Sequence, residues 1–358
     1  MTHRFSLVSI DKCHQVYIVL SSLPLLPRAT HGGPQAANEN IIDFSVNTNP
    51  LGPNPALMQI WREADLVGYP DPYYTAARTA LAKMHLWPVN GVVLGVGASE
   101  LLHRIARVFI GPDDAVYSLD APFGEFERAV ALQRGRLRVA PRQADLTAFA
   151  ATLQQHFHSV VYLSNPHNPS GQLYSPAQLA PLLANTQTLV VLDEAYAPFA
   201  AVAYDWPCQP NLIRVWSPGK AHGLLGMRLA YVLAHPDTAQ FLQNAQPAWA
   251  IPSATAAVLA ALPDQGGFLQ HTLPQVRAWA NDLALALGAQ PSGIHYFMLQ
   301  VDDAAQTAAR LLTLGIRVRN CASFGYPQHI RVATRMPAVD KVLVEALAVK
   351  RSPVNQLH

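Results

Sequence analysis

The 358-residue chain has little cysteine and little charge. Its three cysteines, Cys13, Cys208 and Cys321, are odd in number and far apart, a pattern that supports neither a disulfide framework nor a zinc-binding module. Charged residues make up only 13% of the chain, and their balance leaves a formal net charge of +2, too small to form a general nucleic-acid surface. We therefore expect a protein of a reducing compartment, the cytoplasm, that binds neither nucleic acid nor a metal ion.

Long apolar segments and internal repeats are also missing. Residues 16–26 form an apolar run that loosely resembles a secretion signal, but the run is far shorter than the roughly 20 residues that span a bilayer. It also contains Pro24, and no convincing small-residue cleavage site follows it. We therefore expect no membrane association. We interpret residues 1–40 as an N-terminal arm, of which about the first 30 residues are disordered or dispensable.

Apolar residues make up 50% of the chain, enough to form a large core. From about residue 91, short apolar runs alternate with longer segments of helical spacing, which predicts an α/β fold with a mostly parallel sheet. Runs such as VVYL and LVVL lack alternation, as expected for strands covered on both faces. The predicted strands are 92–96, 115–119, 160–163, 189–192, 212–216 and 229–233, and the predicted helices between them are 100–109, 126–134 and 176–183.

The sequence pattern changes after residue 250. An Ala- and Leu-rich helical stretch is followed by alternating strand and helix patterns, which predicts a large domain at 41–250 and a smaller α+β domain at 251–358. The segments of this second domain are a helical stretch at 253–287, strands at 293–301 and 329–333, and helices at 304–314 and 339–349. Because ligands bind beyond the carboxyl ends of the strands in such sheets, residues that follow the large-domain strands are functional candidates.

Polar residues follow several of these strands. The backbone N–H groups of Gly97, Ala98 and Ser99 open a predicted helix and could bind a phosphate, although an ordinary strand-to-helix turn explains them equally. Asp193 ends a buried strand, where a carboxylate is costly without a cation or a hydrogen-bond donor. A salt bridge to an arginine or a helix cap would also account for Asp193.

Lysine is scarce, with five in the chain, and only Lys220 lies in a glycine-flanked apolar setting, Ser217-Pro-Gly-Lys220. Arg228 follows eight residues later. An amine near burial and cationic neighbours loses its proton more readily, as imine formation with a carbonyl requires. Lys220 is therefore the candidate nucleophile, with a solvated loop lysine as the alternative.

Taken in order, seven motifs resemble those of fold-type I enzymes that use pyridoxal 5'-phosphate, and the match runs from about residue 31 to residue 347. Within that class they are similar to the histidinol-phosphate aminotransferase and threonine-phosphate decarboxylase group. The motifs are Asn47-Thr-Asn-Pro-Leu-Gly-Pro53, Tyr69-Pro-Asp71, Gly97-Ala-Ser-Glu100, Asn165-Pro-His-Asn-Pro-Ser-Gly171, Asp193-Glu-Ala-Tyr196, Ser217-Pro-Gly-Lys220 and Gly226-Met-Arg228. The resemblance implies a three-layer α/β/α large domain with a smaller C-terminal domain.

The resemblance also implies the cofactor, pyridoxal 5'-phosphate, and the residues that bind it. Lys220 would hold the cofactor aldehyde as a Schiff base, and Asp193 would pair with the pyridinium nitrogen. Asn168 and Tyr196 would contact the ring hydroxyl, and Phe123 would stack on the ring. The cofactor phosphate would be bound by Gly97, Ala98, Ser99, Ser217 and Arg228, and by Tyr69 from the second subunit of a homodimer.

The same resemblance implies a small amino acid substrate that carries a phosphate. Arg331 matches the arginine that binds the substrate carboxylate. Arg317, Arg319 and Arg335 are the candidates for the second anionic group, of which Arg319 and Arg335 are the primary ones. Asn47, His31 and Gly32 complete the predicted substrate site.

Two reactions remain open, because the same lysine and aspartate serve both. The opening His31-Gly-Gly33 with Asp43-Phe-Ser-Val-Asn47, and the ending Ile330-Arg-Val-Ala-Thr-Arg335, resemble threonine-phosphate decarboxylases, which make the aminopropanol phosphate of cobalamin. Decarboxylation of L-threonine O-3-phosphate is therefore the main prediction. The alternative is an aminotransferase of the histidinol-phosphate or aromatic amino acid type. A non-enzymatic cofactor-binding regulator is disfavoured, because no DNA-binding domain is appended and both Lys220 and Asp193 are present.

Overall fold

The computed structural model describes residues 25–29, 31–33, 40–140, 145–154 and 158–348. The strands of these residues are β1 (Ile42–Asp43), β2 (Val92–Val96), β3 (Ala115–Leu119), β4 (Arg136–Ala140), β5 (Ser159–Ser164), β6 (Thr188–Asp193), β7 (Leu212–Trp216), β8 (Leu229–Ala234), β9 (Tyr296–Gln300), β10 (Ile316–Arg317), β11 (Arg319–Asn320) and β12 (His329–Ala333). The α-helices are α1 (Pro55–Glu63), α2 (Thr75–Met84), α3 (Ala98–Phe109), α4 (Gly124–Leu132), α5 (Leu146–Leu153), α6 (Pro176–Ala184), α7 (Pro236–Asn244), α8 (Ser253–Ala261), α9 (Gly266–Ala286), α10 (Ala304–Thr313) and α11 (Pro337–Ala348).

Seven strands form the central sheet of the large domain, in the order β2-β8-β7-β6-β5-β3-β4. Strand β8 runs antiparallel to both of its neighbours, and the other pairs are parallel. Strands β5 and β6 are apolar and largely buried, because helices cover both faces of the sheet. The predicted α/β fold with a mostly parallel sheet is confirmed, and β2, β5, β6 and β7 all end at the same edge.

Strand β4 is one that the sequence pattern did not predict. It lies at the edge of the sheet and pairs only with β3. Arg136 and Arg138 alternate with apolar residues along it, and most of its side chains are exposed. Charged residues protect an edge strand from pairing with other chains, so its sequence lacks the apolar run by which the inner strands were recognised.

The smaller domain contains the antiparallel sheet β11-β12-β9, and its packing departs from the predicted boundaries at 41 and 251. Strand β1 pairs in parallel with β10, and Phe44 is buried in the small-domain core. Helix α8, in contrast, packs against α1 and α2 of the large domain. Residues 42–44 thus belong to the small domain, and the chain returns to that domain along α9. A change of composition does not reveal this arrangement.

The described part of the N-terminal arm, residues 25–29 and 31–33, lies against α4. The Arg128 guanidinium donates a hydrogen bond to the Pro27 carbonyl oxygen at 3.1 Å. Most of the apolar run at 16–26 and all of residues 1–24 lie outside the described residues, so disorder or dispensability of the arm stays a prediction. Within the described ranges, no helix has the length and apolar character to cross a membrane.

A buried histidine joins the start of α1 to the loop after β7. The Asn54 side chain caps α1 by accepting hydrogen bonds from the backbone of Ala56 and Leu57. Its amide nitrogen donates to Nδ1 of His222 at 3.2 Å, which requires that nitrogen to be unprotonated. Burial lowers the pKa of His222 from its usual value to about 4.

We predict that this histidine makes the protein less stable as the pH falls from about 6.5 to 4. The unfolded chain takes up the proton near pH 6.5, whereas the folded His222 takes it up only near its pKa of about 4. The free energy of unfolding should therefore fall by up to about 3 kcal/mol from this group. Urea unfolding across this pH range should show a shallower loss in His222→Gln, and an unchanged loss in the exposed control His271→Gln. Equal losses in wild type and His222→Gln would contradict the assignment.

Candidate active site

The segments that follow β2, β3, β5, β6 and β7 meet at one edge of the sheet and line a cavity of about 270 Å³. This is the edge at which α/β sheets bind ligands. The predicted cofactor residues that line this cavity are Ala98, Ser99, Phe123, Asn168, Asp193, Tyr196, Ser217, Lys220 and Arg228. The structure therefore brings together residues that are more than 100 positions apart in the sequence.

Asp193 is a buried carboxylate at the end of β6, with 5% of its surface exposed. The Tyr162 hydroxyl donates to one of its oxygens at 2.9 Å, and the Ala195 N–H donates to the other at 3.0 Å. Burial raises the pKa of Asp193, against the lowering influence of Lys220 and these hydrogen bonds. Among the described residues, no arginine forms an ion pair with Asp193. The salt bridge that the sequence left open is formed instead by its neighbour Glu194, which binds Arg214 at 2.6 Å.

Lys220 is half-buried in the loop after β7, and its Nζ lies 4.8 Å from the centre of the Tyr196 ring. The motif at 47–53 holds the backbone of this lysine. The Asn49 N–H and the Thr48 hydroxyl donate to the Lys220 carbonyl oxygen at 2.9 and 3.1 Å. The Asn49 side chain also donates to the Ala221 carbonyl oxygen at 2.9 Å. This segment thus positions the lysine from a distant part of the chain.

The other end of the cavity is positively polarised. Helix α3 begins at Ala98 there, so the first N–H groups of the helix are directed at this end. The Arg228 guanidinium lies against Gly97 and adds a full positive charge. The hydroxyls of Ser99 and Ser217 also line the cavity. Together these groups form a suitable site for a phosphate.

A second cavity of about 470 Å³ adjoins the first and shares Lys220, Asn168, Tyr196, Phe123 and His31 with it. Its other predicted substrate residues are Gly32, Asn47, Arg319 and Arg331. The Arg331 guanidinium is buried and donates to Asn168 Oδ1 and to the Ser45 carbonyl oxygen. The Asn47 side-chain amide, 5% exposed, has no hydrogen-bond partner within the described part of the chain.

The three arginines that were candidates for binding the substrate phosphate have different surroundings. Arg319 lines the second cavity, donates to Ser323 Oγ at 2.8 Å and lies over the Phe324 ring. Burial, with a contribution from nearby Arg331, lowers the pKa of Arg319. Arg335, which was predicted at the substrate site, instead donates to the carbonyl oxygens of Asp43 and Val46 and lines neither cavity. Its guanidinium binds backbone about 290 positions away in the chain, a pairing that the sequence around Arg335 does not indicate.

Arg317 is likewise directed away from both cavities and forms an ion pair with Asp43 at 3.3 Å. Tyr69 is 82% exposed, stacks on Trp249 with ring centres 4.7 Å apart, and lines neither cavity within the single chain. Of the three arginines, only Arg319 therefore reaches the substrate cavity.

Sequence reasoning missed two residues that hold the site together. Tyr162 binds Asp193, and its polar tip on an otherwise apolar strand was the available signal. Glu125 accepts hydrogen bonds from His31 at 2.8 Å and His103 at 2.9 Å, so it holds His31 beside the Phe123 ring. No local pattern indicates Glu125, because His31 is 94 positions away in the sequence.

Comparison with known proteins agrees with this geometry. Residues 39–349 match the profile of the family described as Aminotransferase class I and II. The chain belongs to this family. A relative named histidinol-phosphate aminotransferase 2, from Pseudomonas fluorescens strain Pf0-1, is 31% identical over 331 residues, which cover 86% of this chain and 88% of the relative.

Solved structures superimpose well on the chain. The histidinol-phosphate aminotransferase from Sinorhizobium meliloti, in complex with pyridoxal-5'-phosphate, has a TM-score of 0.77 and 26% identity, covering 84% of this chain and 88% of that one. The L-threonine-O-3-phosphate decarboxylase from Porphyromonas gingivalis also has a TM-score of 0.77, with 22% identity, covering 87% and 99%. At that identity the second likeness shows the fold alone. The predicted family group and cofactor are confirmed, and the protein is an enzyme that depends on pyridoxal phosphate.

The residues that line the first cavity fit this cofactor. Asp193 is a buried carboxylate suited to a cationic ring nitrogen, and Lys220 supplies the amine in the same cavity. Arg228 and the start of α3 suit the phosphate, and Phe123 presents an aromatic ring to the cavity. When bound, the cofactor accepts the electron pair that remains at the substrate Cα after a bond to that carbon breaks.

We predict that Lys220→Ala removes the covalent attachment of the cofactor while the fold is retained. The substitution deletes the amine of a half-buried side chain without creating a void in the apolar core. The visible absorbance of the bound cofactor, and the mass added to the protein after borohydride reduction, should both be lost. The control Lys83→Ala, at an exposed position on α2, should keep them. Retention of absorbance and turnover in Lys220→Ala would overturn the site assignment.

Proposed function

We propose that the protein decarboxylates a small amino acid that carries a phosphate on its side chain, with L-threonine O-3-phosphate as the substrate and aminopropanol phosphate as the product. The observation that carries this proposal is the place of His31 and Gly32 in the wall of the substrate cavity, with Gly33 bonded beside them to Ser45. These residues belong to the opening pattern by which the sequence resembles threonine-phosphate decarboxylases.

Residues 32 and 33 pack closely against Ser45. A Cβ atom at Gly32 would lie 2.5 Å from the Ser45 carbonyl oxygen, so no larger residue fits without a shift. Gly33 has a φ of +97° and donates its N–H to Ser45 Oγ at 2.8 Å. The Ser45 hydroxyl in turn donates to Asp43 at 2.6 Å. The two halves of the opening pattern thus pack on each other beside the cavity.

The charges of the substrate cavity suit two anionic groups. Arg331 lies beside Asn168 and would hold the substrate carboxylate, next to Lys220. Arg319 would bind the side-chain phosphate, where a planar guanidinium can make paired hydrogen bonds. Burial and the charge of Arg331 lower the pKa of Arg319, and an anion between the two cations would relieve their repulsion.

The protein groups each have a defined part in this reaction. Arg331 would orient the carboxylate, and closure of the cavity would exclude water from it. Loss of carbon dioxide leaves a carbon that must gain a proton. Lys220 Nζ, beside the Tyr196 ring and shared by both cavities, is the group placed to hold and deliver that proton.

Transamination of a histidinol-phosphate-type substrate is the second candidate. The comparisons favour it over decarboxylation, because the curated relative described above is named histidinol-phosphate aminotransferase, while the decarboxylase is a neighbour in fold alone. The same lysine can move a proton from the substrate Cα in that reaction. The two candidates differ in their products and in the need for a keto acid.

We predict the outcome of two parallel incubations of the holoenzyme. Threonine O-phosphate alone should give carbon dioxide and aminopropanol phosphate, since decarboxylation needs no amino-group acceptor. Histidinol phosphate with 2-oxoglutarate should give no glutamate. Mass spectrometry identifies the products. Glutamate formation without carbon dioxide would overturn the decarboxylase proposal and establish the aminotransferase.

A matched pair of arginine variants serves as the control for the phosphate site. Arg319→Gln should raise KM roughly 10- to 100-fold, because charge-assisted hydrogen bonds to the phosphate are lost. Arg317→Gln removes the same charge two residues away, where the side chain binds Asp43 and lines neither cavity. It should change KM little. Equal effects would contradict the role of Arg319.

Exposed apolar residues between positions 66 and 73, together with Trp249, which stacks on Tyr69, favour a homodimer. The residues concerned are Leu66, Val67, Tyr69, Tyr73 and Trp249. A cluster of this kind is typical of an interaction surface. We therefore include in the proposal a homodimer in which Tyr69 contributes to the cofactor phosphate site of the other subunit.

We predict that two inactive variants restore each other's activity when they share a dimer. In a mixed dimer of Tyr69→Ala and Lys220→Ala, one site receives an intact Lys220 and an intact Tyr69 from different subunits. Because one of its two sites is then intact, the isolated mixed dimer should recover about half of wild-type turnover. Co-expression with two affinity tags isolates the mixed dimer, and each variant alone is the control. Absence of recovery would show that Tyr69 does not serve the neighbouring site.

A further inference from the structure

A carboxylate in the large domain and a tyrosine in the small domain meet beside the substrate cavity. Asp120 follows β3, just before Pro122 and Phe123, which line that cavity. Its backbone is held in place, because its N–H donates to the Ala140 carbonyl oxygen at 2.6 Å and its carbonyl oxygen accepts from Ser118 Oγ at 2.8 Å. One carboxylate oxygen accepts from the Ala121 N–H, and the other accepts from the Tyr326 hydroxyl at 2.5 Å.

Tyr326 belongs to the turn at 321–329 that connects β11 to β12. The backbone N–H groups of Phe324 and Tyr326 both donate to the Cys321 carbonyl oxygen, at 2.9 and 3.1 Å, so the turn is internally bonded. Ser323 and Phe324 line the substrate cavity, and Arg319 contacts both of them. Tyr326 is therefore joined to the residues that form the small-domain wall of the cavity.

We propose that the Asp120–Tyr326 hydrogen bond is an interdomain latch that sets the position of the small-domain wall of the substrate cavity. The latch makes Asp120 and Tyr326 positioning residues, since they act through Arg319, Ser323 and Phe324. The inference concerns the cavity of the proposed function and rests on that function only for the identity of the substrate.

The chemistry of the pair suits this role. A hydroxyl that donates to a carboxylate forms one of the stronger hydrogen bonds in proteins, and a distance of 2.5 Å is typical of such bonds. His167 Nδ1 lies 3.9 Å from the same carboxylate oxygen and is held by Ser170 Oγ at 2.8 Å. The buried loop that carries Asn168 thus lies next to the latch.

Two other hydrogen bonds connect the domains at the same cleft, and they involve different side chains. The Tyr296 hydroxyl of β9 donates to the His167 carbonyl oxygen at 3.0 Å, and Arg331 of β12 donates to Asn168 Oδ1. Arg331 is itself assigned to the substrate carboxylate, so an entering substrate would compete with Asn168 for its guanidinium. The latch keeps its two partners, and it can hold the wall in place during that exchange.

Loss of the latch should weaken substrate binding without slowing turnover of the bound substrate. If the latch keeps the cavity wall in the binding position, its loss lowers the fraction of enzyme that is ready to bind, and the apparent dissociation constant rises by the same factor. The chemistry of the bound substrate is unchanged. Loss of a hydrogen bond to a charged group corresponds to a change of roughly 10- to 100-fold.

Hydrogen exchange of the holoenzyme without substrate tests the latch directly. Tyr326→Phe removes only the hydroxyl, and Asp120→Asn removes the charge while keeping a residue that tolerates the φ of +66° at this position. Amides at 321–329 should exchange roughly 10-fold faster in Tyr326→Phe. Asp120→Asn should have a smaller effect, and the double variant should be no faster than Tyr326→Phe, because both substitutions break one interaction. Tyr204→Phe, a half-buried tyrosine packed on the large-domain core, should leave this exchange unchanged.

Kinetics with the active substrate then separate positioning from a general structural role. Tyr326→Phe should raise KM about tenfold and leave kcat and cofactor absorbance within about twofold of wild type. Unchanged exchange at 321–329, or additive effects of the two substitutions, would overturn the latch. Because the exchange measurement needs no substrate, failure of the proposed reaction is distinguishable from failure of the latch.

Discussion

The burial of one carboxylate, Asp193, is the constraint on which the site depends. A charge at the end of an inner strand is costly unless it is compensated, and the surrounding groups do this in part. Tyr162 on the adjacent strand β5 and the Ala195 N–H donate to it, and Lys220 lies in the same cavity. The remaining compensation is what a cationic cofactor ring supplies. The parallel arrangement of β5, β6 and β7 makes this possible, because it brings the ends of these strands to one edge.

The N-terminal part of the chain connects this edge to the small domain. Phe44 packs in the small-domain core, while Thr48 and Asn49 hold the backbone of Lys220 in the large domain. Ser45 lies between them and accepts from Arg331 and Gly33. The segment from Phe44 to Asn49 therefore connects the small-domain core to the lysine loop and contacts Arg331 as well.

The arginines near the cleft show how tertiary contacts assign roles to similar residues. Arg317 and Arg319 are two residues apart, but they lie in different strands, β10 and β11, and have different partners. The Asp43 carboxylate binds Arg317, and the Asp43 carbonyl oxygen accepts from Arg335, so neither cation lines the cavity. Arg319 is left facing the cavity, where Ser323 and Phe324 fix its orientation. Asp43 thus acts on the substrate site by engaging the cations that do not belong to it.

The α/β fold and the cofactor were predictable from the sequence, and residues for the cofactor site could be proposed from it, because all of these depend on local patterns. Apolar runs identified the inner strands, and the ordered motifs around Asp193, Lys220 and Arg228 identified the pyridoxal phosphate enzyme. Tertiary structure alone decided which arginine reaches the substrate cavity, the domain to which β1 and α8 belong, and the pairing of Asp120 with Tyr326. These features join residues up to about 290 positions apart, and their partners are chosen by packing and burial. Local sequence patterns do not predict such pairings, because each side chain could bind several different partners.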